Sequence, residues 1–123
     1  MKYLVLLFLF TACFNQPTRD CKTVKTGQFT FSFEIDKKTE TSTFKRLDSL
    51  QIETFRGKTD TSSVRWINDC EFVLEKINPK SITDRKKIHI KIVETTAEGY
   101  QFNYGYVGET LLNKGFAKQM VKK

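Results

Sequence analysis

The chain holds a single histidine, His89, so any Ser-His-acid relay has to use it. His89 falls between Ile88 and Ile90 and beside Lys91 in an alternating run. That places it on the polar face of a strand, opposite the isoleucines. A solvated surface histidine fits this position better than a catalytic one. The acids Asp60, Asp69, Glu71, Glu75, Glu94 and Glu98 are dispersed. Asp69 and Glu71 share a face if that stretch is extended, where they read as turn and rim polarity. No glycine-rich phosphate loop occurs; Gly105 and Gly108 lie at the end of an aromatic run, where glycine more often marks a bulge. A zinc site needs more ligands than two distant cysteines and one histidine supply. No metal and no cofactor is expected, and the chain reads as a non-enzyme.

Aromatic residues are the other candidates. Tyr100, Phe102, Tyr104 and Tyr106 recur at every second position, on one side of a strand. They could line a ligand cavity, as inward residues do in lipocalin-like barrels, or fill the core. Buried tyrosine hydroxyls need partners, and several at once suggest a wet pocket or a barrel mouth. Trp66 and Phe72 are large apolar anchors on either side of a turn at Asn68-Asp69, with Arg65 placed to pair with Glu71 across it. Their first expected role is structural, and ligand lining is the second.

Three cysteines divide into one and two. Lys2 is followed by seven apolar residues, Leu4 to Phe10, and then Thr11-Ala12-Cys13. Seven residues span roughly 10 Å as a helix, against about 30 Å of bilayer hydrocarbon, so this is a secretory signal and not a membrane span. The run Phe10-Thr11-Ala12-Cys13 resembles a bacterial lipobox, with Phe10 where leucine is more usual. The resemblance implies cleavage after Ala12 and lipid on Cys13. Residues 1–12 are then the signal peptide, 13–20 a lipidated tether and 21–121 the β domain. Residues 14–19 lack acids, which by the same resemblance favours the periplasmic face of the outer membrane. Cys21 and Cys70 remain as an even pair in an exported chain, a disulfide candidate. Two buried free thiols are the alternative.

Period-2 alternation dominates the rest. Phe29, Phe31, Phe33 and Ile35 mark a first strand, ended by Asp36-Lys37-Lys38. Further strands are expected at Thr41–Arg46, from Leu50 to Gly57, at Ser63–Ile67, Cys70–Glu75, Ile88–Ile92, Tyr100–Tyr106 and Phe116–Val121. Asp60-Thr61-Ser62 reads as a turn held by its own side chains. Ser81 is placed to cap one helical turn before Lys86. Gly108, Lys114 and Gly115 suggest a last turn. Eight short strands without a long amphipathic helix predict an all-β, antiparallel meander closing into a small lipocalin-like barrel or a strongly curved sheet. A two-sheet sandwich is the alternative.

One domain is all that 123 residues allow. The formal charge of +7 raises nucleic acid as a partner, but the lysines are scattered without a strand-binding pattern, and none is expected. An exported basic domain faces anionic lipid or acidic envelope polymers instead. Expected partners are the membrane through the N-terminal lipid, and a small apolar ligand or an envelope protein.

Lys25-Thr26-Gly27-Gln28-Phe29, the run from Gly57 to Phe72 and Ile77-Asn78-Pro79-Lys80 resemble short Bacteroidota-type envelope lipoproteins, over about Cys21 to Lys118. The resemblance implies an envelope location and no mechanism. Relatives of this type sometimes carry the label DNA topoisomerase IV. That label implies a large chain with a catalytic tyrosine beside an arginine, whereas Tyr100, Tyr104 and Tyr106 follow Gly99, Asn103 and Gly105.

Overall fold

The computed structural model describes residues 18–120. Cys13, the signal peptide and most of the tether lie outside the described residues. Eight strands follow one another: β1 (Gly27–Ile35), β2 (Lys38–Arg46), β3 (Leu50–Phe55), β4 (Lys58–Asn68), β5 (Glu71–Lys76), β6 (Ile88–Thr96), β7 (Gly99–Tyr106) and β8 (Asn113–Gln119). Each pairs antiparallel with the next, and β8 returns to β1 to close the barrel. The sheet is the expected meander, and the sandwich is not formed. The closing seam pairs Phe29–Phe31 of β1 with Ala117–Gln119 of β8, and eight strands enclose just enough width for packed side chains or one small ligand.

Two-residue turns fix the register. Asp36-Lys37 joins β1 to β2 and Arg56-Gly57 joins β3 to β4, all four residues at positive φ. Such turns match the right-handed twist of the strands they join. The second turn corrects one expectation. Asp60, Thr61 and Ser62 belong to β4, where Asp60 faces Glu53 and Thr61 faces Ile52. The Arg56-Gly57 turn sets the pairing first, so the local turn preference of these side chains is overridden. Gly115 likewise lies inside β8 opposite Phe102, where a Cβ would come within 2.6 Å of that ring.

The β4–β5 turn is also displaced by one residue. It is made by Asp69-Cys70, with a bulge between Trp66 and Asn68. Asn68 Oδ1 accepts from the Cys70 amide at 2.9 Å and holds the turn. Arg65 stands opposite Val73, and Glu71 contacts His89 and Lys91 instead of Arg65. Ser81 holds its turn as expected, its hydroxyl accepting from the Asp84 amide at 3.1 Å.

The two ends of the barrel differ. One end is plugged by a short 3-10 turn, Cys21–Val24, whose Cys21 and Val24 are buried. Cys21 is disulfide-bonded to Cys70, with Cα atoms 5.3 Å apart. The last residues of the expected tether are part of this end. Thr18 O accepts from the Thr95 amide at 2.8 Å, and the Asp20 amide donates to Thr95 Oγ1 at 2.8 Å. The other end, ringed by the β1–β2, β3–β4, β5–β6 and β7–β8 turns, is open.

Candidate functional site

The plug leaves a guanidinium at the bottom of the barrel. β2 sends Ser42, Phe44 and Arg46 inward, by the same alternation that buries Phe29 on β1. Arg46 is 1% exposed. Its Nε donates to Lys25 O at 3.0 Å, and one terminal nitrogen donates to Gln51 Oε1 at 3.2 Å and to the Tyr100 hydroxyl at 3.0 Å. The other terminal nitrogen donates to Val24 O. Among the described residues no carboxylate forms an ion pair with it. Oxygen dipoles and ring faces meet the charge instead: Phe72 at 4.7 Å, Phe29 at 5.0 Å and Tyr100 at 5.4 Å. Burial pushes the Tyr100 phenol above its usual pKa, with Arg46 opposing the rise.

Above Arg46 the barrel is hollow. A cavity of about 410 Å³ opens toward the mouth. Small-molecule sites run from about 300 to 1,000 Å³. One wall is aromatic: Phe31, Phe33, Phe102 and Tyr104, with Phe31 and Phe33 stacked at 5.5 Å and Tyr104 edge-on to Phe31 at 6.3 Å. The β5–β6 wall is aliphatic, from Leu74, Ile88 and Ile90. The β2–β3 wall is polar, from Ser42, Gln51 and Glu53. Water reaches the Glu53 carboxyl from the mouth, but the surrounding walls raise its pKa by desolvation, while the Ser42 hydroxyl and Lys76 act against the rise. The cavity therefore offers apolar faces for a hydrophobic body and a short polar strip for one or two hydrogen-bonding groups.

The aromatic row divides along its length. Tyr100, Phe102 and Tyr104 line the cavity. Tyr106 does not; it lies at the rim under the Lys86 ammonium, 5.0 Å from the ring centroid, and borders a separate groove with Leu112. Trp66 and Phe72 are also outside the cavity lining. Their rings lie 4.6 Å apart at the plugged end, where Lys25 Nζ sits 5.2 Å over Trp66. They pack around Arg46, which fills the depth they would otherwise expose. Only Tyr100 among the row's hydroxyls is held by the guanidinium.

His89 is half-buried on the outer face, with Nε2 3.4 Å from Glu71 Oε2. The contact is close but is not an aligned hydrogen bond, and Nε2 has no hydrogen-bond partner among the described residues. It stands on the far side of the wall from the cavity.

Reading the sequence does not single out Arg46, Gln51 or Glu53. The signal was parity. Arg46 is two residues beyond Phe44 and four beyond Ser42, on the face that turns inward. An arginine at a strand end is ordinarily read as solvated, and the plug that covers it comes from residues with no β pattern.

Comparison with protein-family models, with curated proteins and with solved structures gives no match.

Proposed function

We propose that this chain is a lipid-anchored envelope protein, held at the periplasmic face of the outer membrane through Cys13, whose barrel binds one small, largely apolar molecule. The observation that carries the binding part is the cavity of about 410 Å³ with aromatic and aliphatic walls above Arg46. A packed barrel of this strand number can be filled by side chains alone, so a cavity of that size is a departure from the minimum needed for stability. The polar strip of Ser42, Gln51 and Glu53 supports a ligand with one polar end. Desolvation by the surrounding walls favours the neutral form of Glu53, which can donate a hydrogen bond, over the carboxylate.

The anchoring part rests on the lipobox-like run at Cys13 and on the resemblance to envelope lipoproteins. The lining of the cavity is mainly apolar faces with a short polar strip, which supports binding as the reading we adopt. Intact mass of the mature protein tests the anchor: cleavage before Cys13 and an added diacylglyceryl group are expected, and a Cys13→Ser chain that fractionates normally with the outer membrane contradicts it. Titration with a polarity-sensitive naphthalene dye tests the cavity. Saturable one-to-one binding is expected. A domain that binds no apolar probe, yet captures one envelope protein reproducibly, would favour the alternative of a protein-interaction or envelope-assembly module.

A further inference from the structure

The charged residues in the lining of the cavity are Glu34, Arg46 and Glu53. They are not equally open to a ligand. Arg46 is 1% exposed and donates four hydrogen bonds to protein oxygens, two of them to the plug. A ligand carboxylate that took this guanidinium for itself would displace bonds that close the end of the barrel. Glu34 follows Phe33 at the rim and is exposed. Glu53 stands further in, beside Phe44 of β2 on the inner face of the sheet.

Glu53 lacks a counter-charge of its own. Among the described residues no lysine or arginine forms an ion pair with it. Lys76 acts on it from β5, but that ammonium is engaged by Asp84 at 3.2 Å and Asp60 at 3.8 Å. Asp60, opposite Glu53 on β4, adds negative charge beside it. The charge that the cavity leaves open to a ligand is therefore acidic, although the whole chain has a formal charge of +7.

We propose that the polar end of the ligand is a basic amine, whose ammonium meets the Glu53 carboxylate while its apolar body lies against the aromatic and aliphatic walls. This preference presupposes that the cavity binds a small molecule at all. Desolvation disfavours the Glu53 carboxylate in the empty cavity, and an ammonium brings the counter-charge that the walls withhold. An amine entering as its free base takes the Glu53 proton; one entering as ammonium releases that proton to water. The hydrogen bond then formed is charged on both sides, and such bonds are the strong ones. Phe31, Phe33, Phe44 and Tyr104 line the same space, and aromatic rings attract a cation placed over their faces. An alcohol at the same place gains one neutral hydrogen bond and leaves the carboxylate uncompensated. A carboxylate meets Glu53 as a like charge.

Residues 18–120 contain the closed sheet, its plug and the disulfide, and so form a complete folding unit. Calorimetric titration of this fragment at neutral pH with naphthylmethylamine, naphthylmethanol and naphthylacetate, which share one apolar body, tests the preference. The amine is expected to bind at one per chain, about tenfold or more tighter than the alcohol, the margin of one hydrogen bond to a charged group. The carboxylate is expected to bind most weakly. The positive charge of the chain favours the carboxylate at long range, so general attraction does not produce this order. Glu53→Gln is expected to lower the amine to the level of the alcohol and to leave the alcohol nearly unchanged, with circular dichroism checking that the barrel is intact. Equal one-to-one binding of all three probes overturns the amine preference and leaves the cavity as a binding site. Tightest binding of the carboxylate overturns it as well and assigns the polar end to Arg46. An amine preference that survives Glu53→Gln places the cation elsewhere and overturns it. Absence of binding by every probe overturns the cavity reading itself, and the preference with it.

Discussion

Arg46 on β2 donates to the hydroxyl of Tyr100 on β7 at 3.0 Å, across the inside of the barrel. This bond joins two strands that are not neighbours in the sheet. The same guanidinium holds the plug through Lys25 O and Val24 O. One side chain thus ties the end of the barrel to its cover. Removing it leaves Gln51, Tyr100 and two carbonyls without their donor. Arg46→Met is expected to cost about 3 kcal/mol or more in urea unfolding, the range seen when a buried charged partner is lost. Arg46→Lys is expected to recover little, because an ammonium cannot reproduce the planar fork. Tyr100→Phe removes one hydrogen bond to a charged group and should cost about 1.5–3 kcal/mol.

The Cys21–Cys70 bond holds the plug to the β4–β5 turn and closes a loop with a sequence separation of 49. A loop of that length is worth about 4 kcal/mol on the chain-entropy account. Reduction is expected to lower Tm by roughly 10–20 °C for a domain of this size. The double variant Cys21→Ala, Cys70→Ala should melt with the reduced form. Equal melting with and without reductant would show that the plug is held by Arg46 alone.

Gly99 tests the β7–β8 seam. A Cβ there would lie 1.9 Å from the Ala117 carbonyl oxygen, and the residue has φ of 155°. Backbone blocks the methyl, so no side-chain movement can relieve it. Gly99→Ala is expected to destabilise by several kcal/mol or to prevent folding. Gly108, with φ of 89° and nothing within 4 Å, is the control. Gly108→Ala meets only the cost of the left-handed backbone, about 1 kcal/mol. Comparable losses at both sites would contradict the close approach of β7 and β8.

Glu53 carries the pH dependence of the cavity wall. Desolvation raises its folded-state pKa above the ordinary 4.5. The neutral acid is therefore the better-tolerated form in the fold. Its contribution to stability is fully present below the unfolded value and is lost as pH rises through the raised folded value. Glu53→Gln is expected to raise Tm more at pH 7 than at pH 4. A larger gain at pH 4 would reverse the sign and place the carboxylate in a stabilising contact.

Much of the barrel was legible where alternation is plain: Phe29, Phe31 and Phe33 on β1, and Ile88, Ile90 and Ile92 on β6, need no context to be read. The disulfide was legible as the even pair, Cys21 and Cys70, left when Cys13 is set aside as the lipid-attachment candidate. Turn positions were less so. Asp60-Thr61-Ser62 has the composition of a turn, and only the pairing set by Arg56-Gly57 shows that it is a strand. The cavity was half legible. Its aromatic wall follows from the spacing of Tyr100, Phe102 and Tyr104, but the polar strip needs β2 and β3 in register, with Phe44 opposite Glu53. Trp66 and Phe72 read first as structural anchors and second as ligand lining, because large aromatic rings suit both a floor and a wall. Arg46 decides which they are.

Backbone amide shifts during titration with an apolar ligand, compared between the native domain and Ser42→Phe, test most directly whether the barrel is a binding module. Ser42 is buried and faces the cavity, so the added ring has the cavity to enter. In the native domain, shifts are expected to concentrate at Ser42, Phe44, Gln51 and Tyr104 and to saturate at one ligand per chain. In Ser42→Phe they are expected to vanish while the fold and its melting temperature are kept. Shifts confined to the outer face, or unchanged affinity in the filled variant, would contradict a ligand site inside the barrel.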